Sequence, residues 1–550
     1  MMDPLDIMTS FWKVKNAWMD RSEEMNQRVI DLFQRLEEVT REEFPHLLSS
    51  ELPAEDKSDA SEVFLEYVRR NAKLSRRFHS IFNDWLKALV EKSRDLNDKD
   101  RQRALFWTQQ VINALAPANF FWTNPLAIKK FIDTGGGSLT QGLSQAWDDF
   151  SQGDYLSRIT DEKAFKVGDN IAITPGFVVF RNDLMELIQY EASTEKTHAL
   201  PIVLVPPWIN KYYIFDLTTQ TSFVRFLRDQ GFTVFTISWK NPTAIMREVT
   251  FADYMFKGAL KAMETARHIC KIPHVHAAGY CIGGTALAAL MAWLNRGSET
   301  KNDLPVADWS LFSTLVDFSE PGDLGVFVSE RSIEATESLM QMDGFLDARY
   351  LSWIFRILGS DSLIWRNFVQ NYLYGATPPK SDMLFWNSDS TRLPEAMCSF
   401  YLREFYLHNN LAKKDVLSLG NRPIDMEKIG QPLYAVGTQL DHICPWRGTF
   451  RTCSLVKAPR RYVLSSEGHI TGIINPPSDG SRRKYWAGEV IQPEEPDNWL
   501  SRQEERRGSW WRDWTDWLSS SNSTMQKPPT MGCRKYPPRE NAPGTYVTET

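Results

Sequence analysis

The spacing of hydrophobic residues divides the chain into a helical part and a part in which strands alternate with helices. Before about residue 190, apolar positions recur every three or four residues within long charged segments such as 11–43 and 60–97. This periodicity predicts a mostly helical N-terminal domain over residues 1–190, with strand-like residues from about 170. From 191 onward, short apolar runs alternate with amphipathic segments, which predicts a mainly parallel sheet flanked by helices. The predicted strands are Pro201–Val205, Phe232–Trp239, Val275–Tyr280, Trp309–Phe318, Pro432–Val436 and Arg461–Ser465.

A long aromatic-rich segment, about 325–415, interrupts this alternation between the fourth and fifth predicted strands. It is too long and too apolar for a simple loop, so we predict a cap subdomain, or lid, inserted in an α/β domain of residues 191–520. Near the end of that domain, Trp510, Trp514 and Trp517 recur at helical spacing. This stripe either docks on that domain or contacts an apolar surface outside the protein. Residues 521–550 are rich in Ser, Pro and Thr and are predicted to be disordered.

Composition excludes several classes of protein. The net charge of −6 provides no basic field for nucleic acid. No run approaches the roughly 18 apolar residues that a transmembrane helix needs, and the first residues do not have the pattern of a signal peptide. The six cysteines form no C-x-x-C pair, so neither a disulfide framework nor a zinc site is expected. We therefore expect a cytoplasmic protein that uses no metal and no cofactor.

A glycine-rich turn carries the main candidate for chemistry. The sequence GYCIGG at 279–284 follows the predicted strand 275–280 and precedes an Ala- and Leu-rich helix over 285–295. This is the spacing of a nucleophile elbow, a sharp strand-to-helix turn that exposes a nucleophile, here Cys281. Glycine lets the strand and the helix approach each other, and the helix N-terminus stabilises a thiolate. The alternative is a buried structural cysteine beside incidental glycines.

The predicted order of the catalytic residues along the chain is nucleophile, acid and histidine. Asp441 follows the predicted strand 432–436, and His469 follows the predicted strand 461–465. Both positions lie at the carboxyl ends of strands, where α/β sheets gather their functional groups. We therefore predict that His469 is the general base and that Asp441 orients it. His442 is the competing histidine, and a loop cap is the alternative role for Asp441.

An oxyanion hole is expected from the backbone N–H of Ile282 and from the loop after strand 201–205, around Trp208 and Ile209. A thiol that attacks a thioester forms another thioester, so the acyl group stays activated for transfer to a hydroxyl. This chemistry suits acyl transfer from a CoA carrier, provided that an aromatic cap excludes water. The residues alone thus predict cysteine acyl-enzyme chemistry in a dry pocket, without identifying the acyl group.

At the level of whole motifs, the chain resembles the polyhydroxyalkanoate synthases, and class I synthases in particular. The resemblance runs from about 119 to 518, although Thr243 stands where many members have Asp. The matching motifs are TNPLAIKKFIDTGG at 123–136, VPPWINKYYIFDL at 205–217, ISWKNP at 237–242, GYCIGGT at 279–285, FWNSDSTRLP at 385–394, GTQLDHICPW at 437–446, GHITGIINPP at 468–477 and GSWWRDW at 508–514.

The resemblance implies an α/β-hydrolase fold with an inserted lid, and it implies that Cys281 is acylated, with His469 as base and Asp441 as its partner. The substrate would be a 3-hydroxyacyl-CoA, favoured to be short-chain such as 3-hydroxybutyryl-CoA, and the product a polyester. The resemblance also implies a homodimer that works on the surface of polyester granules. In the lid, Arg392 and Trp386 match a family motif. These two residues and His442 either line the substrate and CoA channel or have a structural role.

Two other functions use the same features. A thioesterase or polyester depolymerase would use the same three residues but admit water. A granule-associated structural protein would carry an inactive hydrolase domain. The product formed from 3-hydroxybutyryl-CoA separates the two enzymes, and CoA release that depends on Cys281 separates both from the structural protein.

Overall fold

A computed structural model describes residues 3, 5–48, 60–153, 156–297, 304–491 and 494–549. The chain forms two compact units. The helical unit consists of Met1–Glu162 and Trp353–Ser381, and the catalytic unit consists of Lys163–Ser352 and Asp382–Thr550. The helical unit is therefore discontinuous in sequence.

The α-helices of both units follow one another along the chain as α1 (Ile7–Met19), α2 (Ser22–Leu48), α3 (Ala60–Glu91), α4 (Asp98–Ala114), α5 (Pro125–Asp133), α6 (Gly137–Ser151), α7 (Phe223–Asp229), α8 (Phe251–Asp253), α9 (Lys261–Cys270), α10 (Ile282–Gly297), α11 (Glu330–Asp343), α12 (Ala348–Leu358), α13 (Arg366–Phe368), α14 (Asp382–Ser388), α15 (Glu395–Phe400), α16 (Trp446–Leu455), α17 (Pro496–Ser501) and α18 (Trp511–Ser521). One turn of π-helix, Tyr254–Leu260, joins α8 to α9, and another, Tyr401–Leu407, continues α15.

The catalytic unit is built on a ten-stranded sheet in the order β1-β2-β4-β3-β5-β6-β7-β8-β9-β10. Its strands are β1 (Gly176–Arg181), β2 (Met185–Tyr190), β3 (Ile202–Val205), β4 (Val234–Trp239), β5 (Val275–Tyr280), β6 (Val306–Phe312), β7 (Leu433–Thr438), β8 (Arg460–Ser465), β9 (Lys484–Glu489) and β10 (Arg506–Arg507). The strands β4, β3, β5, β6, β7 and β8 are parallel, while the strands beyond them at both ends are antiparallel.

The central strands β3, β4 and β5 are buried along their whole length, as expected for a sheet that helices cover on both faces. The first eight strands have the order and directions of an α/β-hydrolase sheet. The predicted fold class is therefore confirmed. Two-residue strands form separate small pairs outside this sheet, for example Phe345–Leu346 with Leu393–Pro394.

The helical unit packs long amphipathic helices against one another. In α2 and α3, Leu32, Val39 and Ile81 form a buried cluster, and the Glu43 carboxylate pairs with the Arg77 guanidinium at 2.7 Å on the flank of that cluster. The periodic apolar residues that predicted these helices thus form the contact between them. No helix among the described residues is both long enough and apolar enough to cross a bilayer.

The predicted lid, 325–415, does not form one subdomain. Residues 353–381 join the helical unit, where the Tyr372 hydroxyl donates to Asp149 at 2.7 Å and the side chain of Asn371 donates to the carbonyl of Arg158 at 2.8 Å. Only residues 325–352 and 382–415 belong to the catalytic unit. Aromatic content indicates that a segment is buried, but it does not indicate which neighbour covers the segment.

The predicted boundary at 190 also differs from the structure, because the catalytic unit begins at Lys163. Strands β1 and β2 lie between these two positions and extend the sheet at one edge. Both strands are antiparallel to their neighbours. They also precede the alternation of strands and helices from which the second domain was predicted, so the prediction assigned them to the helical domain.

Residues 521–549, predicted to be disordered, contact the rest of the catalytic unit in the structure. This tail runs along β1, where the N–H of Val178 donates to the carbonyl of Glu540 at 2.9 Å and the N–H of Arg539 donates to the carbonyl of Val178 at 2.9 Å. Further on, the backbone N–H of Tyr546 donates to the buried Glu186 carboxylate at 3.1 Å. Main-chain hydrogen bonds to a free sheet edge do not depend on aliphatic residues, so composition misses them.

The tryptophan stripe docks on the catalytic unit, as one of the two sequence interpretations proposed. Trp510 and Trp514 are fully buried, and the Trp514 indole donates to the Ser310 hydroxyl of β6 at 2.9 Å. Trp511, which lies off the stripe, is also buried and donates to the carbonyl of Ile473 at 2.9 Å. Trp517 packs only partly against this cluster. Helix α18 is therefore a structural part of the core.

Candidate active site

The turn between β5 and α10 has the geometry of a nucleophile elbow. Cys281 is in the left-handed region at φ 52°, a conformation that few residues other than glycine adopt without strain. A Cβ on Gly279 would lie 2.5 Å from the Cα of Gly284, and a Cβ on Gly283 would lie 2.4 Å from the carbonyl oxygen of Val205 in β3. Glycine at these two positions is therefore required by the backbone that passes close to the turn.

The loops that follow β7 and β8 bring the predicted acid and histidine together. The Nδ1–H of His469 donates to Asp441 Oδ2 at 2.7 Å. The same carboxylate accepts the Thr438 hydroxyl at 2.9 Å and the backbone N–H groups of Ile443 and Cys444 at 2.9 and 2.8 Å. Burial alone would raise the pKa of Asp441. The charge and hydrogen bond of His469, together with the hydrogen bonds from Cys444 and Thr438, lower it by more, so the pKa lies below its ordinary value. Asp441 is therefore a fixed carboxylate that holds the imidazole in one tautomer.

A ring nitrogen of His469 lies within 4.8 Å of the thiol sulfur of Cys281. The Tyr280 ring stacks on the imidazole at 5.3 Å, and the Tyr280 hydroxyl donates to the carbonyl of His469 at 3.1 Å. Burial lowers the pKa of His469, but the charges of Asp441 and Cys281 outweigh it, so the pKa lies well above 6.5. The arrangement favours a thiolate beside an imidazolium.

A second thiol, which sequence analysis did not identify, completes this cluster. The sulfur atoms of Cys444 and Cys281 and the His469 nitrogen all lie within 4.8 Å of one another, and Cys444 is buried. Hydrogen bonding from Cys444 lowers the pKa of Cys281 well below 9.0, aided by the charge of His469 and by the backbone N–H of Ile282. The pKa of Cys444 is raised correspondingly, first by its hydrogen bond to Cys281 and then by burial. The clue in the sequence was the cysteine three residues after Asp441, in the same loop.

Of the predicted oxyanion-hole residues, Ile282 lies directly next to the thiol. Ile282 follows the thiol at the first position of α10, and the carbonyl groups of Val205 and Pro206 pack against Gly283. The loop that continues to Trp208 is fixed by two bonds from Thr391, whose hydroxyl donates to the carbonyl of Trp208 at 2.5 Å and whose N–H donates to the carbonyl of Ile209 at 2.9 Å. The loop after β3 therefore passes beside the elbow at Val205 and Pro206. The second oxyanion donor, expected around Trp208 and Ile209, stays a prediction.

The other predicted residues have partners of their own. The ring of His442 pairs with the Asp323 carboxylate at 3.2 Å, rather than with Cys281. The Trp386 indole donates to the carbonyl of Lys211 at 2.6 Å, in the loop after β3. The Arg392 guanidinium donates to the carbonyl of Pro242 at 3.3 Å and lies 5.0 Å from the centre of the Phe345 ring. For Trp386 and Arg392 these contacts favour the packing role over the contact with CoA.

Two tyrosines from the predicted lid, Tyr406 buried and Tyr401 half-buried, lie near the same cluster. Burial, and then the charges of nearby groups that include Cys281, raise the pKa of both Tyr401 and Tyr406 well above 10.0. The rings of Tyr401 and Tyr406 meet edge to face at 5.4 Å, and the Tyr406 ring meets that of Phe318 at 4.9 Å. We call this group of aromatic rings beside the cluster the tyrosine wall (Phe318, Tyr401 and Tyr406).

The sheet order and the Cys–His–Asp geometry define an α/β-hydrolase-fold enzyme with a thiol at the nucleophile position. Residues 70–227 match the family described as Poly-beta-hydroxybutyrate polymerase (PhaC) N-terminus. Over 455 residues the chain is 40% identical to the poly(3-hydroxyalkanoate) polymerase subunit PhaC of Cupriavidus necator, covering 82% of this chain and 76% of that protein. The chain belongs to the poly(3-hydroxyalkanoate) polymerase family and is an acyltransferase.

A second relative supports the same assignment. Poly(3-hydroxyalkanoate) polymerase 2 of Ectopseudomonas oleovorans is 38% identical over 459 residues, which cover 83% of this chain and 80% of that protein. Among solved structures, a monoacylglycerol lipase from Paleococcus ferrophilus aligns with a TM-score of 0.32 at 12% identity, covering 62% of this chain and 99% of the lipase. The family assignment rests on the sequence relatives alone, and it confirms the family to which the motifs pointed.

Proposed function

We propose that this enzyme polymerises short-chain 3-hydroxyacyl groups, such as 3-hydroxybutyryl, from their CoA thioesters through an acyl thioester on Cys281. The observation that carries the proposal is the Cys281 thiol on a nucleophile elbow, within 4.8 Å of the ring of a histidine that Asp441 fixes at 2.7 Å. The family of this chain supports the substrate class, because its relatives are named poly(3-hydroxyalkanoate) polymerases.

The first step is acylation of Cys281. The thiolate attacks the carbonyl carbon of the CoA thioester, and a new C–S bond to Cys281 forms as the C–S bond to CoA breaks. The backbone N–H groups of Ile282 and Trp208 stabilise the oxyanion that forms between these two events. The imidazolium of His469 supplies the proton that the departing CoA thiolate takes up, and the Asp441 carboxylate stabilises the imidazolium until then.

The second step joins two hydroxyacyl units. The hydroxyl of a second 3-hydroxyacyl group attacks the acyl-Cys281 thioester while His469 accepts the hydroxyl proton. An ester C–O bond forms, the C–S bond to Cys281 breaks, and the thiolate is regenerated beside the imidazolium. The tyrosine wall favours this outcome over hydrolysis, because a water molecule would release a free acid instead.

The helical unit offers a surface that suits a polyester granule. In α6, Leu143, Trp147 and Phe150 stand at positions i, i+4 and i+7 and are exposed by 63%, 70% and 61%. Three large apolar side chains on one face of a helix are unusual on a protein that stays in water, and they suit an apolar polymer surface. We propose that the enzyme acts at the granule surface through this face, and that its working form is a homodimer.

A thiol-release assay with 3-hydroxybutyryl-CoA tests the proposal. Free CoA should appear together with a water-insoluble polyester, and Cys281→Ala should abolish both. Soluble 3-hydroxybutyrate as the only product would refute polymerisation and favour a thioesterase. A comparison of 3-hydroxybutyryl-CoA with medium-chain 3-hydroxyacyl-CoA substrates tests the chain length, and sedimentation of the protein with and without substrate tests the dimer.

A further inference from the structure

Cys444 has no part in the steps described above, although it is buried beside the nucleophile. Its backbone N–H donates to Asp441 Oδ1 at 2.8 Å, so the carboxylate that orients His469 also fixes Cys444. Its sulfur lies within 4.8 Å of both the Cys281 sulfur and a ring nitrogen of His469. Of the two cysteines, Cys281 is partly exposed, whereas Cys444 is 4% exposed. A small oxidant can therefore reach the nucleophile before it reaches the second thiol.

We propose that Cys444 is a resolving cysteine, which converts an oxidised Cys281 into a reversible disulfide. The proposal deepens the function proposed above, because it rests on Cys281 being a thiolate nucleophile. The chemical class of the oxidant is a hydroperoxide, either hydrogen peroxide or an organic peroxide small enough to pass the tyrosine wall. The site is thus a thiol pair that is oxidised as a unit.

The first step oxidises Cys281 by two electrons. The thiolate attacks the terminal oxygen of the hydroperoxide, an S–O bond forms, and the O–O bond breaks to give a sulfenic acid on Cys281. The peroxide is reduced to water or an alcohol, which takes its proton from the His469 imidazolium. A thiolate with a lowered pKa that remains partly accessible is the species that reacts in this way.

The second step forms the disulfide. The Cys444 sulfur attacks the Cys281 sulfur, an S–S bond forms, the S–O bond breaks, and the hydroxyl leaves as water with the proton from Cys444. The sulfur atoms have to approach from within 4.8 Å to a bond length of about 2 Å, which is the movement that the proposal requires of the two side chains. A dithiol reductant then returns both cysteines to the thiol form.

This pairing has a chemical consequence for the enzyme. A sulfenic acid without a nearby thiol reacts with more peroxide to give sulfinic and sulfonic acids, and these forms are irreversible except where a dedicated enzyme acts. A thiol that is already adjacent traps the sulfenic acid first. Cys444 is therefore expected to make peroxide inhibition of this enzyme reversible.

The test treats the purified full-length enzyme with hydrogen peroxide, alkylates the remaining thiols, and maps cysteine peptides by mass spectrometry without reduction. In the wild-type enzyme we expect a cross-linked peptide that joins Cys281 to Cys444, with loss of two hydrogens, and return of CoA release after dithiothreitol. In Cys444→Ser we expect Cys281 to gain two or three oxygens, with no recovery. Cys533→Ser, which removes a thiol elsewhere in the chain, should behave like the wild type.

The outcomes separate this inference from the proposed function. Peroxide-treated wild-type enzyme in which Cys281 carries two or three oxygens while Cys444 stays alkylatable would overturn the resolving role, whether or not the Cys444→Ser variant folds. Retention of CoA release by Cys281→Ala before any peroxide is added would instead overturn the nucleophile on which both ideas depend.

Discussion

Replacement of Gly283 by Ala tests whether the loop after β3 belongs to the catalytic machinery. The added Cβ would lie 2.4 Å from the carbonyl oxygen of Val205 and 2.5 Å from that of Pro206. Ordinary contacts begin at 3.4 Å, so this backbone has to move by about 1 Å, from 3.4 − 2.4. The proposed second oxyanion donor, the backbone N–H of Trp208, belongs to this loop, so such a displacement should move that donor out of position.

The expected loss follows from the size of this shift. A misplacement of about 1 Å at a catalytic group costs about 100-fold in rate. This corresponds to about 2.7 kcal/mol of lost transition-state stabilisation. Crowding at the same position should also lower the free energy of unfolding by about 1–3 kcal/mol. We expect kcat for CoA release to fall much more than KM changes, since the donor acts mainly on the transition state.

The assay is the initial rate of CoA release from 3-hydroxybutyryl-CoA, with thermal unfolding measured on the same preparation. Gly468→Ala is the matched control, because its Cβ would meet only the carbonyl oxygen of Leu440, at an ordinary 3.6 Å, although it adjoins His469. The control should keep a rate close to that of the wild type. A folded Gly283→Ala enzyme with an unchanged kcat would refute an oxyanion hole built from this loop.

Three further changes have outcomes that the structure specifies. Asp441→Asn should lower CoA release by about 10⁴-fold, because an amide no longer holds the His469 tautomer; a loss under tenfold would contradict the role of Asp441. The pKa of Cys281 is lowered, so its thiolate persists at pH well below 9.0; alkylation by iodoacetamide should therefore stay fast at pH 7 and slow only on further acidification, and an inflection near 9 would contradict this direction. Trp514→Ala should cost about 3–5 kcal/mol in denaturant unfolding, because the ring is fully buried, whereas Trp122→Ala, at a ring exposed by 76%, should change little; equal effects would contradict the docking of α18.

The fold of the catalytic unit could be predicted because its signals are local. Strand–helix alternation indicates a parallel sheet, and GYCIGG places a turn where only glycine fits, which fixed the position of Cys281. His469 and Asp441 followed from the rule that functional groups gather at the carboxyl ends of parallel strands. Each of these inferences uses residues close together in sequence, and the structure brings all three side chains to one place.

The remaining features depend on which distant segments meet. Cys444 is one of six cysteines, and its position three residues after Asp441 places it in the acid's loop without showing that its sulfur lies near that of Cys281. The aromatic residues of 353–381 indicate that the segment is buried but not which neighbour covers it, so the prediction placed this segment in the lid. The tail 521–549 binds β1 through main-chain groups, which every sequence possesses. Trp511 lies off the predicted stripe because a second face of α18 packs against α7, where the Trp511 ring contacts those of Phe223 and Phe226.

Because the helical unit is discontinuous, its assembly depends on the order of synthesis. Helices α1–α6 are synthesised early, but some of their partners come later in the chain. The hydroxyl group that donates a hydrogen bond to Asp149 belongs to Tyr372, and the buried cluster that contains Ala127 also needs Val369 and Leu373. All of these later residues are translated after the elbow and after strands β1–β6. A nascent chain that ends before residue 353 therefore carries six helices whose packing is unfinished. Since units fold as wholes, the helical unit should become resistant to proteases only after residue 381 has left the ribosome.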